Sequence, residues 1–196
     1  MRTIQAPRPG TDPSWVDTPA ARRGAAGERV VREALAAALD DRYALVHNIF
    51  LPGGEGDVDA VLIGPRLLVL EVKTYAEGRP LRVQGLRWEY EAEDGRWRGL
   101  ADQPSLQAQA GARRVGYALR SAGLPVYNVT PVVVLVGGAP CAVERPRVPV
   151  VRPAELPALA REGAPVRQST WPTLVLRALL TAGDAGSGQW AVGSGQ

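Results

Sequence analysis

Residues 129–136 read VTPVVVLV, eight positions without a charge. A strand that is apolar on both faces must be covered on both faces, which points to a sheet with helices on either side. Pro131 has no N–H for a ladder, so it is expected at an end of this strand or at a bulge. Two more runs, DVDAVLI (57–63) and LLVLEVKT (67–74), read as strands joined at Gly64-Pro65-Arg66. Tyr43–Phe50 is a further strand. Leu81–Glu91 and Arg96–Arg98 read as shorter strands around an Asp94-Gly95 turn, and Val148–Val151 as one more. Thr18-Pro19 is an N-cap followed by proline at the first helical position, opening a helix to about Leu39 with Val31, Leu35, Ala38 and Leu39 as its apolar stripe. A second helix starts near Gln103-Pro104 and stops by Gly123. Ala154–Arg161 and Thr170–Thr181 are helical by pattern. The expected class is α/β, with a mixed central β-sheet flanked by helices. Residues 1–17 are expected to form a flexible N-terminal arm, 18–182 the folded domain, and 183–196 a Gly/Ser-rich tail.

Cys141 is the only cysteine and His47 the only histidine, which excludes an intrachain disulfide, a thiolate cluster and a histidine-rich zinc site. His47 lies in an apolar strand, where a packed histidine is the ordinary case, and Cys141 has no partner nearby in sequence. No apolar stretch approaches the roughly 18 residues of a membrane span. The opening MRTIQAPRPGTDP has proline and arginine where a secretory signal would be apolar. A reducing, cytoplasmic setting is the expectation. Neither glycine pair, Gly53-Gly54 or Gly137-Gly138, has the spacing of a phosphate loop.

Of 23 Lys and Arg residues only Lys73 is lysine, a compact charge where this chain otherwise uses arginine. It stands two residues after Glu71, so the two share one face of their strand, with Leu70 and Val72 on the other. A hairpin turning about Pro65 sets Asp59 opposite Glu71 and Asp57 opposite Lys73. Carboxylates that close repel unless a positive charge lies between them. Hard oxygen donors of this kind suit Mg²⁺ or Mn²⁺, and an adjacent lysine can orient a water. Glu28, on or beside the buried stripe of the first helix, is a third acid in need of a partner. The plainer reading of Glu71 and Lys73 is an ion pair on a solvated strand face.

The run GERVV, then VHNIFLPGGEGDVDAVLIGPRLLVLEVKTY, then QPSLQ resembles the NERD (nuclease-related domain) family over residues 20–137. That family is grouped with the restriction-endonuclease-like PD-(D/E)xK fold. The resemblance implies a metal-dependent nuclease that hydrolyses phosphodiester bonds in nucleic acid, DNA foremost, with Mg²⁺ or Mn²⁺ as cofactor. It assigns Asp59, Glu71 and the Val72 carbonyl to the metal, Lys73 to catalysis, Glu28 to the acid of the first helix and Gln107 to the glutamine of the second. Asp57 would be a rim residue. The family's Asn-Pro before that glutamine is Gln103-Pro104 here, and glutamine is the poorer cap. The alternative on the same fold is an inactive nucleic-acid-binding or protein-interaction module. Arg113, Arg114 and Arg120 on the second helix, with Arg79, Arg82, Arg87, Arg96 and Arg98 on the short strands, could line a backbone-binding groove, and Trp88 and Trp97 could stack on bases. They could equally be a solvated face with its packing aromatics, the net charge being only +3.

Overall fold

The structure, a computed structural model, describes residues 1–6, 18–52, 57–75, 78–124, 128–162 and 171–187. In chain order its elements are β1 (Arg2–Gln5), α1 (Pro19–Ala38), β2 (Ala44–Ile49), β3 (Val58–Ile63), β4 (Leu67–Thr74), β5 (Leu81–Gln84), β6 (Arg87–Glu91), β7 (Trp97–Gly99), α2 (Pro104–Ser121), β8 (Val129–Val136), β9 (Cys141–Glu144), β10 (Val150–Val151), α3 (Leu156–Arg161) and α4 (Trp171–Ser187). Thr18 caps α1 as its sequence predicts, its hydroxyl accepting the Ala21 N–H at 3.1 Å.

Six strands form a mixed sheet in the order β1-β2-β3-β4-β8-β10. The β2-β3 and β3-β4 pairs are antiparallel; β4-β8 and β8-β10 are parallel. Side-chain alternation divides the core in two. Leu67 and Val69 of β4 pack beneath Ala112, Val115 and Leu119 of α2 and Val175 and Leu179 of α4. Leu68 and Leu70 face the other way, against Val31 and Leu35 of α1 and Leu156 and Ala160 of α3. The expected mixed sheet with helices on both faces is therefore the observed one. No described helix is long and apolar enough to cross a membrane.

Four features differ from expectation. Residues 2–5, expected in a flexible arm, form β1, a short edge strand parallel to β2 in the register Arg2–Ala44 to Gln5–His47; residues 7–17 lie outside the described residues. Helix α4 runs to Ser187, past the expected start of the tail, since no proline interrupts it. Residues 81–91 are two strands, not one: Gly85, at φ 62°, turns the chain so that Gln84 pairs with Arg87. With β7 and the unanticipated β9 these make a second sheet, β7-β6-β5-β9, whose Leu81, Val83 and Trp88 pack on Ala108 of α2 and on Val133 and Leu135 of β8.

Pro131 sits inside β8, paired with Val69 without a bulge. Val133 donates its N–H toward β10, to the Pro149 carbonyl at 2.9 Å, and β10 pairs with β8 only from Val133 onward. The position of the missing N–H, two residues earlier and on the same edge, has no strand beside it, so the proline interrupts no ladder bond.

Candidate active site

The hairpin register is the one read from the sequence: Ala60 pairs with Leu70, Val61 with Val69 and Ile63 with Leu67. Ladder pairing stops at Ala60–Leu70, just before Asp59 and Glu71. On the other side of β3 the pairing passes from His47–Ala60 to Ile49–Val58, skipping Asn48 and Asp59. Asn48 there has φ 55°, a left-handed conformation that asparagine tolerates better than most residues. The sheet is thus opened on both sides of Asp59. Its Oδ2 accepts the Val72 N–H at 2.7 Å in place of a ladder bond. A strand residue directs its N–H and C=O to the same edge, so the Val72 carbonyl faces this opening too.

Glu71 and Lys73 alternate with Val72 and so lie on the α2 side of β4. Lys73 Nζ is 3.0 Å from Glu71 Oε1 and 3.4 Å from an Asp102 carboxylate oxygen just ahead of α2. The Lys73 and Glu71 side chains are only 21% and 16% exposed, so this pair is not on a solvated face. Burial raises the Asp59 carboxyl to about 8, Glu71 and then Glu28 and Asp57 push the same way, and the Val72 N–H resists, as does the Lys73 charge that Asp59 helps to hold. Burial likewise raises Glu71, against the pull of Lys73. On Lys73 burial opposes the charge, but Glu71 and Asp102 outweigh it and raise its pKa.

Helix α1 approaches this end of β4 because Gly27 has no side chain: a Cβ there would collide with Thr74 Oγ1 and touch Val72. The next residue, Glu28, is held by Arg32 at 3.9 Å and adds its charge to the Asp59 environment. Asp57 lies just before β3, its carbonyl accepting from Arg114 at 3.3 Å. Gln107 is exposed on α2, and its described hydrogen bond is from its backbone N–H to the Gln103 carbonyl at 3.3 Å. The structure therefore brings together Asp59, Glu71, Lys73 and the Val72 backbone, with Glu28 acting on Asp59 from α1, and gives Gln107 no described contact with them.

Three residues escaped the sequence. Asp102 is a lone acid in a loop, marked only by its place before the Gln103-Pro104 helix start. Asn48 belongs to an apolar stretch whose pattern does not reveal a break, and Tyr75 follows the polar end of a strand, where nothing marks a buried hydroxyl. Asn48 Oδ1, Thr74 Oγ1 and the Tyr75 hydroxyl are the buried side-chain polar atoms among the described residues with no hydrogen-bond partner, and they flank the acid cluster. Tyr75 is pushed above its ordinary range by burial and then by Asp102 beside it, although no well-formed hydrogen bond joins the two. Orphaned buried groups are rare in folded proteins, and a cluster of them marks a place shaped for something other than packing. His47 is buried in β2, where the Asn48 amide donates to its Nδ1 at 3.2 Å. Cys141, in β9, has its thiol pKa raised by burial, the opposite of a reactive thiolate.

The model of the NERD family, the nuclease-related domain, matches residues 23–136. The chain belongs to that family. The match runs from α1 to the end of β8, so the nuclease-related domain includes every residue of the acid cluster and leaves β9, β10, α3 and α4 outside it. No curated protein and no solved structure matches the chain.

Whether this nuclease-related domain suits a divalent ion is a question of donors and charge. Among the described residues no three His, Cys, Asp or Glu side chains converge as a ligand cage. Two carboxylates raised by burial, one of them also by the other, do lie at an open strand end, with Asp59 Oδ1 and Glu71 Oε2 unused by any described hydrogen bond. Mg²⁺ and Mn²⁺ fit such a site, since they are held by one or two carboxylates and keep several waters.

Proposed function

We propose that the chain is a metal-dependent nuclease that hydrolyses phosphodiester bonds in nucleic acid, DNA most readily. The observation that supports it best is Asp59: a buried carboxyl held up to about 8 by burial and by Glu71, at a strand end opened on both sides. A single lysine, Lys73, faces two buried carboxylates there, and a divalent ion would supply the further positive charge.

In this reading Asp59 and Glu71 hold Mg²⁺ or Mn²⁺, with the Val72 carbonyl as a further donor, and Glu28 strengthens the negative field from α1. When bound, the ion supplies a Lewis acid for charge on the scissile phosphate. Lys73, fixed between Glu71 and Asp102, holds its proton and presents N–H donors to a water or a phosphate oxygen. Asp102 is a positioning residue in this scheme, acting through Lys73. Gln107, exposed in the first turn of α2 five residues beyond it, would serve at the rim.

The test is cleavage of supercoiled plasmid, single-stranded DNA and RNA in Mg²⁺ or Mn²⁺, with EDTA as the blank. Wild type is expected to cut, and Lys73→Ala and Glu71→Gln to lose about 100-fold or more of the rate. Cleavage that survives in both variants overturns the residue assignment. Absence of cleavage with binding retained means the fold serves as a binding module instead.

A further inference from the structure

We propose that the cleft between α2 and the start of β8 binds the phosphate backbone of a nucleic-acid strand, at a site separate from the acid cluster; the identity of the polymer rests on the nuclease reading above. The cleft has a volume of about 440 Å³ and is lined by Gln109, Arg113, Gly116 and Arg120 of α2 and by Val129 and Pro131 of β8. These four α2 positions, with Ala112 beside them in the lining, are spaced by four, three and four, so they form one stripe along the helix. Gly116 gives the stripe its depth: a Cβ there would lie 3.3 Å from Arg120 Nη1 and 3.7 Å from Val129 Cγ2.

Its charge has no counter-ion among the described residues. Arg113 and Arg120 are exposed and have no ion pair among the described residues. By contrast Arg29, Arg42, Arg66, Arg82, Arg87 and Arg98 each hold an acid at 3.8 Å or less. The reason is visible in the chain, which has no Asp or Glu between Asp102 and Glu144. Neither α2 nor β8 can offer a counter-ion, and a ligand bearing negative charge is the natural complement. Beside the cleft, Tyr117 is 62% exposed and shares the outer edge of α2 with Arg113 and Arg120. An exposed ring between two free guanidinium groups matches a chain of phosphates carrying stackable bases better than it matches a small anion.

The dimensions agree. Arg113 and Arg120 are about 10 Å apart along the helix axis, so they would reach separate phosphates of one strand and not a single small anion. Helix α2 starts next to Asp102, which pairs with Lys73, so a strand lying along α2 has the acid cluster at one end of its path.

Binding of a labelled 20-nucleotide single strand and of the matching duplex, followed by fluorescence anisotropy in EDTA across 25–200 mM KCl, tests this. Removing two phosphate contacts makes the slope of log affinity against log salt shallower by about 1.8 on duplex and about 1.4 on single strand. That change is expected for the full chain carrying Arg113→Gln with Arg120→Gln. The charge-matched variant Arg29→Gln with Arg42→Gln, which alters α1 and the turn before β2, is expected to keep the wild-type slope. Equal slopes in both double variants, whether changed or unchanged, overturn the cleft, and so does a wild type that binds neither polymer. The nuclease reading is judged separately by metal-dependent cleavage: loss of the slope difference with cleavage intact removes only the cleft, and the slope difference without cleavage removes only the nuclease.

Discussion

Asp59 keeps its proton to about pH 8, where an unfolded aspartate loses it near 4. Between those values the folded chain binds a proton that the unfolded chain does not, so stability in EDTA falls as pH rises through that window and levels off above it. Thermal melts of wild type from pH 4.5 to 8.5 should show this fall, on the order of a few kcal/mol shared with Glu71. Asp59→Asn should flatten it and melt higher than wild type at pH 8.5; a parallel pH curve in the variant would mean that Asp59 is not the group responsible. Asp102→Asn makes a second test at this scale. It leaves Lys73 with Glu71 alone, and should lower any metal-dependent cleavage by about 10- to 100-fold while the melting temperature stays close to wild type. The three central residues were legible because strand alternation and hairpin counting are local rules: Glu71 and Lys73 are two apart, and the turn at Pro65 fixes what lies opposite. Asn48 and Asp102 were not, because a left-handed residue in an apolar strand and a single acid in a loop leave no period to read.

At the scale of elements, the G-E pair of α1 shows what a short motif does physically. Gly24 faces open space, whereas a Cβ at Gly27 would meet Thr74 Oγ1. Gly24→Ala should therefore stabilise by about 0.5–1 kcal/mol through helix propensity, and Gly27→Ala should destabilise by about 1 kcal/mol or more through overpacking on β4. Chemical denaturation of the two variants decides it, and equal effects would show that α1 has room to shift. The start of α2 resolves the unusual Gln103-Pro104. Gln103 is the N-cap at φ 35°, but its side chain caps nothing on the helix. Its Oε1 accepts the Trp88 N–H at 3.0 Å and its Nε2 donates to the Trp88 carbonyl at 3.2 Å, as a neighbouring strand would. Ser105 accepts the Trp88 indole N–H at 2.8 Å, so α2 and the second sheet are tied through one tryptophan. Trp88 and Trp97 are therefore not a matched pair of base-stacking rings: Trp88 is fully buried, and Trp97 carries the Arg82 guanidinium 4.5 Å from its ring centre. The helix start is legible from the proline, but the purpose of the glutamine is not, because its partner lies across a strand pairing that residues 81–91 do not announce.

For the molecule as a whole, the same features that cost stability at the acid cluster should make the protein respond to a divalent ion if the nuclease reading holds. The acid cluster, the break at Asn48 and the orphaned hydroxyls of Thr74 and Tyr75 all lie at one end of the sheet, while both cores beneath and above it are closed by valine and leucine. A sheet covered on both faces can tolerate a strained end, and stability withheld there is recovered by a ligand that binds only the folded chain. Divalent ion at about 100 times its dissociation constant adds about 2.7 kcal/mol, which for a domain of this size is a rise of roughly 5–10 °C in melting temperature. Mg²⁺ or Mn²⁺ should produce that rise at pH 7.5 where NaCl of equal ionic strength does not, and the rise should vanish in both Asp59→Asn and Glu71→Gln. Because the ion competes with the Asp59 proton, the rise should also shrink as pH drops below 7. A wild type that melts at one temperature in Mg²⁺, Mn²⁺ and EDTA would mean that the acids serve only as ion-pair partners of Lys73, and the nuclease reading would fall with the metal.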